Sequence, residues 1–293
     1  MDSPTSVPRR PGDSVPAPTT RAGTAALAAI RARPEQTVVA LDFDGTLAPI
    51  VPDPDDARAH PDIVPALARL APRIRAVAIV TGRPADLAVR YAGLAGVPGL
   101  EQVTVLGAYG AERWDAATGE TRTPPPDPGV AAARAALPSL LTRIGAPEGT
   151  WTEDKGRAFA VHTRRTPDPA AAFELLRAPL HELAARHGLH LEPGRMVLEL
   201  RPPGMDKGLA LDSFLAETDA GPVLYAGDDL GDLAAYDAVG RRRESGRPGL
   251  LVCSASTVPG ETVTTLADRA DLVVDGPEGV AALLSALLPE QAP

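Results

Sequence analysis

Apolar residues gather along this chain in short unbroken runs, and those runs set the expected elements. Val38 to Leu41 (VVAL), Ala76 to Val80 (AVAIV), Val103 to Leu106, Pro222 to Ala226, Gly249 to Ser254 and Leu272 to Val274 read as strands of the buried type. Continuous runs without alternation are the pattern of strands covered on both faces. Helices are expected over Gly23 to Arg33, Pro61 to Leu70, the stretch carrying Leu87 and Tyr91, Leu209 to Leu215, and Pro277 to Leu288. Val51 to Asp56 is an acidic proline loop, because its prolines lack donors and bias their predecessors away from helix.

After Arg113 the texture changes. A proline-rich turn, an Ala helix (Val130 to Leu141), a strand (Ala158 to Thr163), a helix (Pro169 to His187) and strands at Leu189 to Glu192 and Met196 to Arg201 follow. This order suggests two helices on a small antiparallel sheet, an α+β unit inserted into the first domain as a cap. The expected fold class is therefore α/β with an inserted α+β cap. The expected divisions are a disordered tail over 1–22, a core over 23–113 and 203–293, and a cap over 114–202. The tail expectation rests on scattered Pro, Ser, Thr and Arg with almost no large apolar side chain.

Composition narrows the function classes. Of 293 residues 44% are apolar and only 3% aromatic, so the cores must be built from Ala, Leu and Val. A net charge of −9 argues against a nucleic-acid groove and against attraction to anionic lipid. No run approaches a membrane span, and no export signal is expected from Arg9-Arg10, since the apolar region Ala25 to Ile30 is brief, ends in Arg31-Ala32-Arg33 and has no clear small-residue cleavage site after it. Cys253 is the single cysteine, which excludes an internal disulfide and suits a cytoplasmic location. It sits in an apolar run and reads as a small buried hydrophobe.

The chemistry concentrates at strand ends. Asp42 and Asp44 stand two positions apart where the VVAL run stops, so they would project together, and a Gly-Thr turn follows. Like charges that close need a divalent cation, a shared proton, or division of labour between a nucleophile and an acid. Thr81 and Gly82 end the second strand and could offer a hydroxyl and backbone N–H groups to a phosphate oxygen. Lys207 opens a helix, and Asp228, Asp229 and Asp232 follow a later strand. Phosphoryl transfer needs a nucleophile, an acid, positive charge and a metal, and each has a candidate here. Asp42 would attack, Asp44 would serve as acid and then base, and Lys207 would neutralise charge on the phosphoryl group. Clustered carboxylates call for a hard cation, so Mg²⁺ is expected on Asp42, the Asp44 carbonyl and Asp228, with Asp229 or Asp232 behind through water.

DFDGT after an apolar strand resembles the haloacid dehalogenase superfamily signature, and Thr81 its second motif. With VTGR, LGAYGAE, Glu153-Asp154-Lys155-Gly156, AVHTRR, LEPGRMVLELRP, DKG and GDDLGD in this order, the chain resembles the trehalose-6-phosphate phosphatases over about Val38 to Asp232. The resemblance implies a Rossmann-like core with an α/β cap, Mg²⁺ dependence, and hydrolysis of trehalose 6-phosphate to trehalose and phosphate. It also implies sugar contacts by Glu153, Lys155 and Glu199 on the cap, with Arg164, Arg195 and Arg201 as weaker candidates for contacts or core-to-cap salt bridges. A trehalose-6-phosphate synthase in the same pathway is the partner it brings with it. Tyr109, Gly231 and Leu233 depart from the family's usual His, Thr and Glu. The competing expectations are a phosphatase for sucrose phosphate, mannosyl phosphoglycerate or a phosphomannose, and a catalytically silent phosphosugar sensor.

Overall fold

A computed structural model describes residues 16–125, 127–194, 196–256 and 264–288. The large sheet is built from β1 (Val38–Leu41), β2 (Ala76–Val80), β3 (Val103–Gly107), β4 (Glu112–Asp115) and β5 (Glu120–Arg122). The chain then makes a second sheet from β6 (Trp151–Asp154), β7 (Phe159–His162), β8 (His190–Gly194) and β9 (Val197–Arg201). It returns to the first with β10 (Val223–Gly227), β11 (Gly249–Ala255) and β12 (Leu272–Asp275). The large sheet has the order β12-β11-β10-β1-β2-β3-β4-β5, parallel from β12 to β3 and antiparallel beyond. From β1 the chain winds outward through β2 and β3 and, after its excursion, outward the other way from β10. The β1/β10 seam is thus the switch point, where open α/β sheets place their ligands beyond the strand ends.

Helices α1 (Arg21–Ala32), α2 (Ile63–Leu70), α3 (Ala85–Ala92), α6 (Lys207–Glu217), α7 (Leu233–Glu244), α8 (Thr264–Arg269) and α9 (Gly276–Ala286) cover the large sheet; α4 (Pro128–Ile144) and α5 (Pro169–Arg186) lie on the small one. Alternation divides β1 between two cores. Val39 and Leu41 pack with Ile30, Ile63, Leu67 and Val280, whereas Val38 and Ala40 pack with Leu211, Phe214 and Val239. Each fully buried Leu or Val contributes about 1.5–3 kcal/mol, which is why the run tolerates no polar member.

The small sheet runs β6-β7-β9-β8, all antiparallel. Phe159, Val161, Leu198 and Leu200 pack under α4 and α5. The period of two turns the intervening Trp151, Glu153, His162, Glu199 and Arg201 to the other face, toward the large sheet's strand ends.

Three differences from the sequence reading have local causes. The ordered chain reaches back before residue 23, since Thr20 caps α1 with its side chain and the Thr19 N–H donates to the Asp271 carbonyl at 2.7 Å. The Asp271 carboxylate in turn accepts from Thr20, Arg243 and the Leu251 N–H. Arg9 and Arg10 and the rest of the first 15 residues lie outside the described ones. The expected core-to-cap division at 113/114 falls inside β4, which with β5 extends the large sheet; the chain leaves that sheet after Arg122. Finally, β6 and α7 were absent from the expected elements, because WTED has no apolar stripe and α7 ends in RRRE.

Candidate active site

The parallel register brings three strand ends level, for Leu41 pairs with Ala226 on one side and Ile79 on the other. The residues that follow each strand therefore meet in one cleft of 440 Å³, where Asp42, Thr81 and Asp228 all line the wall. Asp42 is 3% exposed, and its carboxylate lies 2.7 Å from the Lys207 ammonium at the first position of α6. Burial, reinforced by the Asp232 charge, pushes the Asp42 carboxyl well above the usual range while Lys207 opposes the shift. For Lys207 burial would lower the pKa, but Asp232 and Asp42 outweigh it and hold the ammonium charged.

Asp44 lines the same cleft but turns toward a different cation. Its two oxygens accept from Arg83 Nε at 2.8 Å and Nη2 at 2.7 Å, a bidentate pair. Arg83 is itself buried, with its guanidinium over Phe43 and Tyr91. The sequence reading did not assign Arg83 a role; its place in the loop after Thr81 was the available signal. The Thr81 hydroxyl accepts from the Arg83 backbone N–H at 3.1 Å, which shapes that loop.

Asp232 is fully buried and wholly engaged. Its Oδ1 accepts from Lys207 at 2.8 Å and from the Tyr225 hydroxyl at 2.6 Å, and its Oδ2 accepts from the backbone N–H groups of Asp228 and Asp229 at 2.9 and 3.1 Å. Asp229 caps the turn over Leu230–Asp232 by accepting from the Gly231 N–H at 2.8 Å. The Asp229 and Asp232 side chains thus both brace the loop that presents Asp228.

The donor set fits a hard cation. Carboxylate oxygens of Asp42, Asp228 and Asp232 lie within 4.8 Å of one another. Burial, with the charges of Asp229 and Asp42, also drives the Asp228 carboxyl well up, because these carboxyls crowd one another and disfavour the ionised form, a repulsion that a cation would offset. Gly45, at φ +74°, keeps the turn clear: a Cβ there would stand 2.0 Å from Asp228 Oδ2.

Across the cleft the small sheet presents the residues expected of it. Lys155 donates to Glu199 Oε2 at 2.6 Å, and Glu153 lies 2.9 Å from His162 Nε2. Burial would raise the Glu153 carboxyl, but the His162 hydrogen bond and the charges of Lys155 and Arg83 take it below its ordinary value. Glu153, Lys155 and Arg164 line the cleft, whereas Glu199 is buried. Arg201 pairs with Glu192 at 2.8 Å, and Arg195 lies outside the described residues. Trp151, stacked on His162 at 4.0 Å between centroids, is a lining residue that the sequence reading missed because β6 was missed.

The trehalose-phosphatase family model matches residues 40–269, which takes in every one of these groups. The chain belongs to the trehalose-phosphatase family. A probable trehalose-phosphate phosphatase of Sinorhizobium fredii is 34% identical over 211 residues, covering 69% of this chain and 73% of its own. A Mycobacterium tuberculosis protein described as an uncharacterized glycosyl hydrolase is 38% identical over 216 residues, 69% of this chain, which spans only 15% of that protein's length. The trehalose-phosphatase fold is also met in the C-terminal domain of Candida albicans trehalose-6-phosphate phosphatase, with a TM-score of 0.69 at 20% identity over 94% of this chain and 99% of that one. A haloacid dehalogenase-like hydrolase from Bacteroides thetaiotaomicron shares it at a TM-score of 0.58 and 18% identity, over 85% of this chain and 98% of its own. Among the described residues no helix is long and apolar enough to cross a membrane.

Proposed function

We propose that the protein hydrolyses trehalose 6-phosphate to trehalose and phosphate through an aspartyl-phosphate on Asp42. The observation that carries the reading is the Asp42–Lys207 pair at the switch point, facing the Glu153 and Lys155 side chains across one cleft. Family membership supports the same substrate class. The phosphoryl group would sit by Thr81, Gly82 and Lys207, where backbone N–H groups and the ammonium meet its oxygens. An Asp42 oxygen bonds to phosphorus as the bond to the sugar oxygen breaks, and Asp44, which must first leave Arg83 and take up a proton, gives that proton to the oxygen. Asp44 then takes a proton from a water whose oxygen attacks phosphorus, and phosphate leaves with Asp42 restored.

Asp42, Asp228 and the Asp44 carbonyl would hold Mg²⁺, with Asp229 nearby. When bound there the ion offsets the carboxylate charge and polarises the phosphoryl oxygens. Glu153, Lys155, Glu199 and Arg164 would read sugar hydroxyls, and the cap would exclude water from the cleft.

The test is phosphate release from a panel of sugar phosphates with and without Mg²⁺. Metal-dependent preference for trehalose 6-phosphate is the expected result. Preference for another sugar phosphate keeps the chemistry and moves the substrate, and no turnover of any leaves a phosphosugar sensor in place of an enzyme.

A further inference from the structure

We propose that Tyr109 determines sugar specificity: its ring forms the wall a phosphorylated sugar passes between Thr81-Gly82 and the Lys155–Glu199 pair, and its hydroxyl hydrogen-bonds that sugar. The inference rests on the phosphosugar reading of the cleft. Tyr109 lies in the turn after β3, and both it and Ala108 adopt left-handed backbone, at φ 57° and 46°. Left-handed backbone at a residue with a side chain costs about 1–2 kcal/mol, and such strain persists only where surrounding bonds enforce it. Here they do. The Ala108 N–H donates to the Arg83 carbonyl at 2.7 Å and the Tyr109 N–H to the Thr81 carbonyl at 2.9 Å, which ties the turn to the loop read as the phosphate site.

The side chain then spans the cleft's two halves. A Cβ on Gly82 would stand 2.7 Å from both Cζ and Oη of Tyr109, so the phenol end occupies the space that glycine leaves. The Arg201 guanidinium, held by Glu192, lies 4.3 Å from the ring centroid, so the same ring touches the small sheet. Burial, then the Glu199 charge and a hydrogen bond to its carboxylate, raise the phenol pKa above its ordinary value, so the hydroxyl stays protonated. The Glu199 carboxylate also accepts from Lys155 on Oε2 at 2.6 Å, so the phenol and the ammonium meet on one acid. The phenol end thus packs on Gly82 and reaches Glu199, and its oxygen keeps lone pairs that can accept from a donor in the cleft lined by Lys155 and Glu153.

The experiment compares full-length wild type with Tyr109→Phe and Tyr109→Ala, measuring kcat and KM on the sugar phosphate the panel ranks first and on p-nitrophenyl phosphate. Phe keeps the ring, and thermal unfolding checks that it folds. Tyr109→Phe should raise KM for the sugar phosphate and shift the ratio of the two kcat/KM values about tenfold against it, the scale of one lost hydrogen bond to a neutral group. Tyr109→Ala should shift the ratio further. A Tyr109→Phe ratio equal to that of wild type overturns the proposal and leaves the phosphosugar reading standing. A wild-type enzyme with no preference for any sugar phosphate over p-nitrophenyl phosphate overturns both.

Discussion

Replacing Asp232 with Asn should destabilise the metal-free protein more than any other isosteric change in the cleft. The carboxylate accepts four hydrogen bonds, from Lys207 and Tyr225 on one oxygen and from the Asp228 and Asp229 backbone on the other. An amide of the same shape has one accepting oxygen and, in place of the other, an NH₂ that only donates. If its NH₂ turns to Lys207 and Tyr225, an ammonium faces a donor; if it turns to the backbone, two N–H groups beside Asp228 lose their acceptor. The first orientation makes the Lys207 contact repulsive, although the Tyr225 hydroxyl can rotate to accept; the second makes both backbone contacts repulsive. In either, Lys207 loses the charge of Asp232 and keeps its ion pair with Asp42. Removing one partner from a buried, hydrogen-bonded ion pair costs about 3–5 kcal/mol. At about 2–4 °C per kcal/mol for a domain of this order, Tm should fall by about 6–20 °C. The assay is thermal unfolding in chelator, followed by circular dichroism. If Asp232 instead serves the cation, removing its charge from a cluster of repelling carboxylates would leave the metal-free protein as stable or more so. A metal-free Asp232→Asn protein that melts at or above wild type would refute the brace.

Two further outcomes follow from the packing around Gly45 and Cys253. Gly45→Ala should lose about 1–2 kcal/mol through its left-handed backbone and, because the new methyl group displaces Asp228, should abolish the Mg²⁺-dependent rise in Tm expected of wild type. An unchanged Mg²⁺ response would remove Asp228 from the ion's site. Cys253 is buried in β11, and burial together with the Asp228 and Asp232 charges pushes its thiol up to about 12. An aromatic disulfide reagent at about pH 8 should therefore label no thiol in the folded protein and one in denaturant, and rapid native labelling would contradict the placement of β11.

The central strands were legible because strands covered on both faces become continuous apolar runs, and Val38 to Leu41 could be little else. The residues at their ends were legible for the same reason: a parallel sheet converts sequence position after each run into shared location. What escaped was set by partners distant in sequence. β4, β5 and β6 carry Glu, Arg, Asp and Thr without a stripe, and only pairing of β4 with β3, β5 with β4 and β6 with β7 makes them strands. Asp232 reads as one more acid in GDDLGD until Tyr225 and Lys207 close on it. Arg83 likewise gains meaning only when the turn after β1 swings Asp44 onto it, which no spacing of 39 residues announces.

The bonds from Thr19 and Thr20 to Asp271 have a practical side. Asp271 precedes β12 and so lies at the edge of the sheet where the parallel strands begin, whereas the cleft lies where they end. Strands of four or five residues separate the two edges by about 15 Å. Attachment to a bead or electrode through the amino terminus would thus enter the fold on the side away from the cleft, leaving the mouth turned to the solution and the cap free of the support.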